Sequence, residues 1–246
     1  KHNISCNKQE VKFFFRNYMY SFTTDLIGKI QIKNLLMAAL AANTKIPMGR
    51  IVKSLSKVNS VNGRLEKVGN LKNNSTVILD YAHTPEALKI CLKNIKDQFK
   101  YSKLSLVFGC GGERDKTKRR IMGKVANDHC ETIYLTNDNP RKENPQKIRD
   151  QIKKKIDKGK LFEISSRALA IKKAINNLNS GDILIVAGKG HEKYQEYFGK
   201  KYFSDKECIL KNIKIKNKKL YEDWKKNIIK EKIKKINFKS IKKINN

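Results

Sequence analysis

The feature that most constrains the fold is an alternation running from residue 76 to about residue 208. Short apolar runs at 77–79, 104–108, 132–135, 161–164 and 183–187 are separated by stretches with helical spacing at about 85–99, 118–128, 145–157 and 167–178. Apolar runs this short suit strands buried on both faces, and strands joined through helices of that length run parallel. The expectation is an α/β fold, a Rossmann-like domain with a mostly parallel sheet built from right-handed crossovers. In such sheets ligands gather at the carboxyl ends of the strands.

The flanks follow other patterns. Residues 1–60 suggest the end of a preceding ATPase-type α/β domain, with aromatic strands at 13–15 and 18–22. A helix over 32–42 sets Leu35, Leu36, Ala39 and Leu40 at helical spacing, with Asn43 as its cap. Pro47 opens a second helix with Ile51, Val52 and Leu55 on one face. Residues 61–75 contain Gly63 and Gly69 without a strong period and are expected to form a hinge before a domain at 76–210. Residues 211–246 are a lysine-rich tail, expected to be weakly helical or disordered, in which Ile229, Ile233 and Ile236 fall on one helical side. The chain starts at Lys1 without a methionine, and its first residues look like sequence from within a domain.

With 55 Lys and Arg against 23 Asp and Glu, the formal net charge is +32. Charge alone argues for nucleic acid or an anionic surface. The lysines, however, are dispersed among isoleucine and asparagine along the whole chain, the look that drift towards A/T-rich codons produces. Zinc-finger spacing, RNA-binding aromatic motifs and a basic region with heptads are absent, so no specific nucleic-acid partner is expected. No apolar stretch nears the roughly 20 residues of a membrane span, and no charged start leads into an apolar signal region. Membrane insertion is therefore not expected. Cys6, Cys91, Cys110, Cys130 and Cys208 lack metal or redox spacing and suit reduced thiols in a cytoplasmic protein. Cys110, inside a glycine loop, is either a reactive thiol or a small filler.

Four motifs each follow an apolar run. Asp138-Asn139-Pro140-Arg141 offers a carboxylate and an amide for an ammonium, a fixed turn, and a planar fork for a carboxylate. Such a set would hold a free amino-acid head group. An Asx-Pro turn with a solvated arginine accounts for the same four residues. Asp80-Tyr81-Ala82-His83-Thr84-Pro85 ends in a plain helix start, Thr84 capping and Pro85 at the first position. In Gly109-Cys110-Gly111-Gly112-Glu113-Arg114, paired glycines would let backbone come close to a ligand, although the charge run after them also suits a solvated face. The fourth motif is Ala187-Gly188-Lys189-Gly190-His191-Glu192. Neither a Walker A loop nor a dinucleotide fingerprint is present.

In this order and spacing, the four motifs closely resemble the C-terminal domain of the Mur ligases, over about residues 20–208. The Asp-Asn-Pro-Arg sequence resembles the diaminopimelate-adding branch, since lysine-adding relatives lack the arginine. The resemblance implies an ATP-dependent ligase of peptidoglycan synthesis with ATP and Mg2+ as cofactors. Its substrates would be meso-diaminopimelate and UDP-N-acetylmuramoyl-L-alanyl-D-glutamate. It further implies that Arg114, Asp138, Asn139, Pro140, Arg141, Gly188 and Glu192 meet meso-diaminopimelate, Gly188 through its backbone, Glu192 through an ammonium. His191 would play a supporting part. Asn62-Gly63-Arg64 resembles the family hinge, where Arg64 would reach the nucleotide phosphates. Asp80 would bind ribose hydroxyls and His83 would stack on adenine, while a solvated arginine and a turn histidine remain open readings for Arg64 and His83. Ser204-Asp205 fits the family weakly, and a helix cap explains it as well. The phosphate loop, the magnesium and carbamylated-lysine sites and the catalytic residues would lie upstream of Lys1, and the UDP-binding domain further upstream. Two alternatives stay open: a non-catalytic binding module of the same fold, and a basic nucleic-acid-binding protein.

Overall fold

A computed structural model describes residues 2–4 and 8–244, and their side chains over 8–228. Cys6 and the side chains of Ile229, Ile233 and Ile236 lie outside the described residues. Strands β1 (His2–Ile4), β2 (Gln9–Phe15) and β3 (Tyr18–Thr24) form an antiparallel sheet, followed by helices α1 (Lys29–Ala42) and α2 (Met48–Leu55). The chain continues through β4 (Glu66–Asn70), β5 (Thr76–Asp80), α3 (Pro85–Gln98), β6 (Leu104–Phe108) and α4 (Thr117–His129). Then come β7 (Thr132–Leu135), α5 (Pro145–Lys153), β8 (Leu161–Glu163), α6 (Arg167–Asn176) and β9 (Ile183–Ala187). A hairpin of β10 (Tyr194–Glu196) and β11 (Lys200–Tyr202) leads into α7 (Asp205–Ile244).

The main sheet has the order β4-β5-β9-β6-β7-β8. All its pairs are parallel except β4 with β5, which is antiparallel. This matches the mostly parallel α/β fold expected from the alternation. The period of two along each strand divides the core. Ile78, Leu106, Ile133 and Ile185 face a cluster with Leu88, Leu92, Ile95, Met122, Ala126, Ile148 and Ile152 from α3, α4 and α5. Val77, Leu79, Val107, Tyr134, Leu184 and Val186 face Ala170, Ile171, Ala174, Ile175, Ile209 and Ile213 from α6 and α7. Every residue of β5 and β9 is buried.

The N-terminal elements bury their own cluster, including Val11, Phe22, Ile32, Leu35, Ala39, Met48, Ile51 and Leu55. Leu40 is exposed and Leu36 only half-buried, so the stripe of α1 is narrower than its apolar residues suggested, and in α2 Val52 is likewise only half-buried. Gly28 N donates to Gln98 Oε1 at 2.8 Å, and Gln31 Nε2 donates to Arg64 O at 2.9 Å. These bonds tie the start of α1 to α3 and to the expected hinge.

Three elements add to the expectations. The hinge segment contains β4, whose register breaks between Lys67 and Gly69; that irregularity hides the strand period. Over its described length the tail is helical. It continues α7, which begins inside the domain and buries Ile209 and Ile213 against the sheet. The β10–β11 hairpin falls in a polar stretch without alternation. Because the first turns of α7 belong to the core, Ile209→Ala should cost about 2–5 kcal/mol by creating a cavity. Ile215→Ala, on a half-exposed position, should stay within about 0.5 kcal/mol. Urea unfolding of the two variants measures the difference.

Candidate functional site

The carboxyl ends of β5, β6, β7 and β9 lie side by side in the sheet, so the loops that leave them meet along one edge. Those loops carry all four motifs. The loop after β6 packs directly on the loop after β7: a Cβ added to Gly112 would lie 2.0 Å from Pro140 O, and Gly112 N donates to Asn139 O at 2.9 Å. Gly112 therefore admits neighbouring protein backbone. This contact sets Arg114 and Arg141 on either side of Gly111, whose notional Cβ would be 3.0 Å from Arg141 Nη1 and 3.8 Å from Arg114 Cγ. Arg114 is exposed.

Asp138, Asn139 and Pro140 are buried, and much of their polar capacity is spent within the protein. Asp138 Oδ1 accepts from Asn139 N at 2.8 Å, and Asp138 Oδ2 lies 3.8 Å from Arg167 Nη1. Asn139 Nδ2 donates to Glu192 Oε2, while its Oδ1 accepts from Lys189 Nζ and from Glu196 N, at 3.0, 3.0 and 3.1 Å. Arg141, with φ +54°, donates from Nη1 to Gly112 O at 2.8 Å and sets its Nε 3.1 Å from Glu196 Oε2. The amide of Gly188 is taken by Asp80 O at 3.2 Å, which leaves its carbonyl as the backbone group a ligand could meet. Glu192 already has an ammonium partner in Lys189, 3.0 Å away.

The second group surrounds the end of β5. Both oxygens of Asp80 already accept from backbone, from Leu65 N at 2.7 Å and from Ala82 N at 2.8 Å. Burial pushes its carboxyl above the usual range, opposed by those two amides and by the charge of Arg64. Its structural role is to hold the turn that presents Arg64. The Arg64 guanidinium lies 4.7 Å from the Tyr81 ring centroid, and His83 and His191 contact the same ring edge-on and tilted, at 4.7 and 5.6 Å. His83 is exposed, with Nδ1 3.0 Å from Tyr81 O. Gly63 (φ +68°) locks this group to the other, because a Cβ there would strike His191 N at 2.5 Å. Among the described residues no three His, Cys, Asp or Glu side chains come together to hold a metal ion. Cys110 is the small filler rather than a reactive thiol, since burial pushes it up to about 12.

Residues that motif reasoning passed over do most of the supporting. Arg167 is fully buried, bidentate to Asp205 at 2.7 Å for each bond, and donates to Ala187 O at 2.9 Å. Asp205, for which a helix cap and a weak family fit were the two readings, is a buried ion partner, while Ser204 Oγ caps α7 by accepting from Glu207 N at 3.3 Å. Arg119, also fully buried, binds Glu143 from Nη1 at 2.6 Å and Nη2 at 2.8 Å, and reaches Gly111 O at 3.2 Å. It thereby braces both loops. Tyr81, Lys189 and the β10–β11 hairpin complete the edge. The one available signal was Arg167, the single arginine of its helical stretch and followed by Ala168 and Leu169, whereas Arg119 is hidden in the charged run from Lys116 to Arg120.

Residues 63–190 match the family described as Mur ligase, glutamate ligase domain. The UDP-N-acetylmuramoyl-L-alanyl-D-glutamate–2,6-diaminopimelate ligase of Rickettsia montanensis is 45% identical over 216 residues, covering 87% of this chain and 44% of the relative. The ligase of that name from Buchnera aphidicola subsp. Baizongia pistaciae is 43% identical over 195 residues, covering 78% and 38%. A solved structure of a ligase with the same name superposes with a TM-score of 0.68 at 32% identity, covering 87% of this chain and 44% of the other. The MurF ligase of Thermotoga maritima in complex with ADP shares the fold alone, with a TM-score of 0.60 at 14% identity and coverage of 89% and 46%. This chain spans less than half the length of these relatives.

Glu143 offers a direct test of the bracing. Its bonds to Arg119 outweigh burial and hold its carboxyl down at about 2, against an ordinary 4.5. A depressed folded value means that its stabilisation is complete above about pH 4.5 and is lost as pH falls towards 2. Glu143→Gln strands the buried Arg119 charge and should destabilise the protein by about 3 kcal/mol at neutral pH. The gap between wild type and variant should close as unfolding is measured at progressively lower pH.

Proposed function

The chain belongs to the Mur ligase family, and from that premise we propose that it supplies the amino-acid-binding part of a peptidoglycan ligase. That ligase joins meso-diaminopimelate to UDP-N-acetylmuramoyl-L-alanyl-D-glutamate. The observation that carries this reading is the convergence of Arg114 and Arg141 with Asp138, Asn139 and Glu192 at the carboxyl ends of three neighbouring strands. A guanidinium pair beside carboxylates is the set that a distal amino-acid head group needs. Lysine lacks the distal carboxylate, so it would leave an arginine unpaired, and an uncompensated charge in a closed pocket costs several kcal/mol.

Activation of the D-glutamate side-chain carboxylate as an acyl phosphate is the chemistry that ATP and Mg2+ supply when bound. The residues of this chain would hold the distal head group so that the other amine faces the acyl carbon. The amine forms the C–N bond, the bond to phosphate breaks, inorganic phosphate leaves, and the nitrogen gives up a proton. Arg64 and the exposed edge of His83, set on the Tyr81 ring, suit the nucleotide side of this arrangement, Arg64 for phosphate and His83 for the base. Because the turn bearing Arg64 abuts the loop bearing Glu192, ordering of one supports the other, a closure that would bring the reacting groups together. A cytoplasmic location follows from ATP-dependent chemistry on nucleotide substrates.

The test is Arg141→Ala in the full-length protein, assayed with meso-diaminopimelate and with L-lysine. Loss of the fork should lower kcat/KM for meso-diaminopimelate by about a hundredfold to a thousandfold and remove the preference over L-lysine. Unchanged discrimination would remove Arg141 from the recognition set. A wild-type enzyme that ligates neither amino acid would overturn the functional reading.

A further inference from the structure

Lys189 lies in the loop after β9 and is fully buried, although its side chain ends in an ammonium. That ammonium donates to Glu192 Oε2 and to Asn139 Oδ1, both at 3.0 Å, and lies 5.2 Å from the Tyr194 ring centroid. A buried ammonium keeps its charge only where a carboxylate compensates it. Glu192 is that carboxylate, and it is the outward end of the pair, with 19% of its side chain exposed.

The surroundings repeat the pattern. Asn139 bonds to the carboxylates of Asp138 and Glu192 and to the backbone amide of Glu196, and each of these three acidic residues lies near a cation of the protein itself. Asp138 faces Arg167 at 3.8 Å, Glu196 faces Arg141 at 3.1 Å, and Glu192 faces Lys189 at 3.0 Å. Arg167 is already held bidentately by Asp205, so Glu196 with Arg141 and Glu192 with Lys189 are the two carboxylates matched one to one before a ligand arrives. An incoming ammonium without a carboxylate would gain Glu192 but meet Lys189 as a like charge a few ångströms behind it. Like charges at such separations in a partly desolvated site repel strongly. A head group bearing both an ammonium and a carboxylate carries its own balance, and the exposed Arg114 is free to approach the carboxylate.

We propose that Lys189 is a specificity-determining residue: its buried ammonium neutralises Glu192 in advance and so excludes amino acids whose distal end is an ammonium alone, in favour of a distal zwitterion. Selection then has two parts, attraction of the carboxylate by the arginines and repulsion of the wrong ligand by Lys189. The proposal rests on the functional reading above.

The experiment compares wild type, Lys189→Met and Lys189→Gln in the full-length protein, with kcat/KM measured separately for meso-diaminopimelate and L-lysine. The glutamine variant removes the charge while retaining a hydrogen-bond donor on a slightly shorter side chain. Both variants should lower the ratio of meso-diaminopimelate to L-lysine by about tenfold or more, mainly through a lower KM for L-lysine. Thermal unfolding checks that each variant is folded, and if Lys189→Met is not, Lys189→Gln decides. A purely structural lysine predicts parallel losses with both amino acids and an unchanged ratio, which would overturn the proposal. Wild type that uses meso-diaminopimelate while both variants keep its discrimination refutes the role of Lys189 alone. Wild type that uses neither amino acid refutes the functional reading.

Discussion

Burial of the main sheet on both faces is the constraint from which the rest of this structure follows. With helices packed on either side, strands such as β5 and β9 bury every residue, and their sequences are correspondingly apolar. Polar chemistry is thereby confined to the strand ends, where backbone leaves the ladder and side chains turn outwards. The loops after β5, β6, β7 and β9 carry nearly all the residues with recognisable chemistry. Their proximity is a consequence of strand order, since β9 inserts between β5 and β6 and brings Gly188 to Glu192 between the other two groups.

A site built on such an edge must keep many charges in place while partly shielded from water. The protein does so by pairing. Arg167 with Asp205, Arg119 with Glu143 and Lys189 with Glu192 each set a fully buried cation against a carboxylate. Such pairs add little net stability compared with apolar residues of similar size, but losing one partner is costly, so they hold geometry. Arg167 ties the start of α7 to the end of β9, and Arg119 ties α4 to the two loops that flank the arginine pair. The long C-terminal helix is therefore connected to the site through Asp205 and is not an appendage.

The strands at 104–108, 132–135 and 183–187 and the capped helix after Thr84 were legible in the sequence because each obeys a local rule: an apolar run, or a hydroxyl followed by proline. The β4 strand was not, because its period is broken at Gly69 and its partner supplies the order. In the lysine-rich tail the packing of its first turns was hidden by composition, and Ile213 and Leu220 are the apolar residues there that join the core cluster. At the site, residue types suggested groups suited to an amino-acid head group. They did not announce that Asp80 would be occupied by backbone amides, or that Glu192 would already hold an ammonium.

By itself, then, the sequence determined the layered α/β architecture and the four segments that carry chemistry. Both are written in local periodicity and in residue types whose bonding capacity does not depend on context. Only the tertiary structure decided which of those bonding groups are used internally and which face outwards. The physical reason is that a hydrogen bond or ion pair is settled by whichever partner comes within about 3 Å in the fold. Here those partners, such as Lys189 for Asn139 and Arg167 for Asp205, stand 50 and 38 residues apart along the chain.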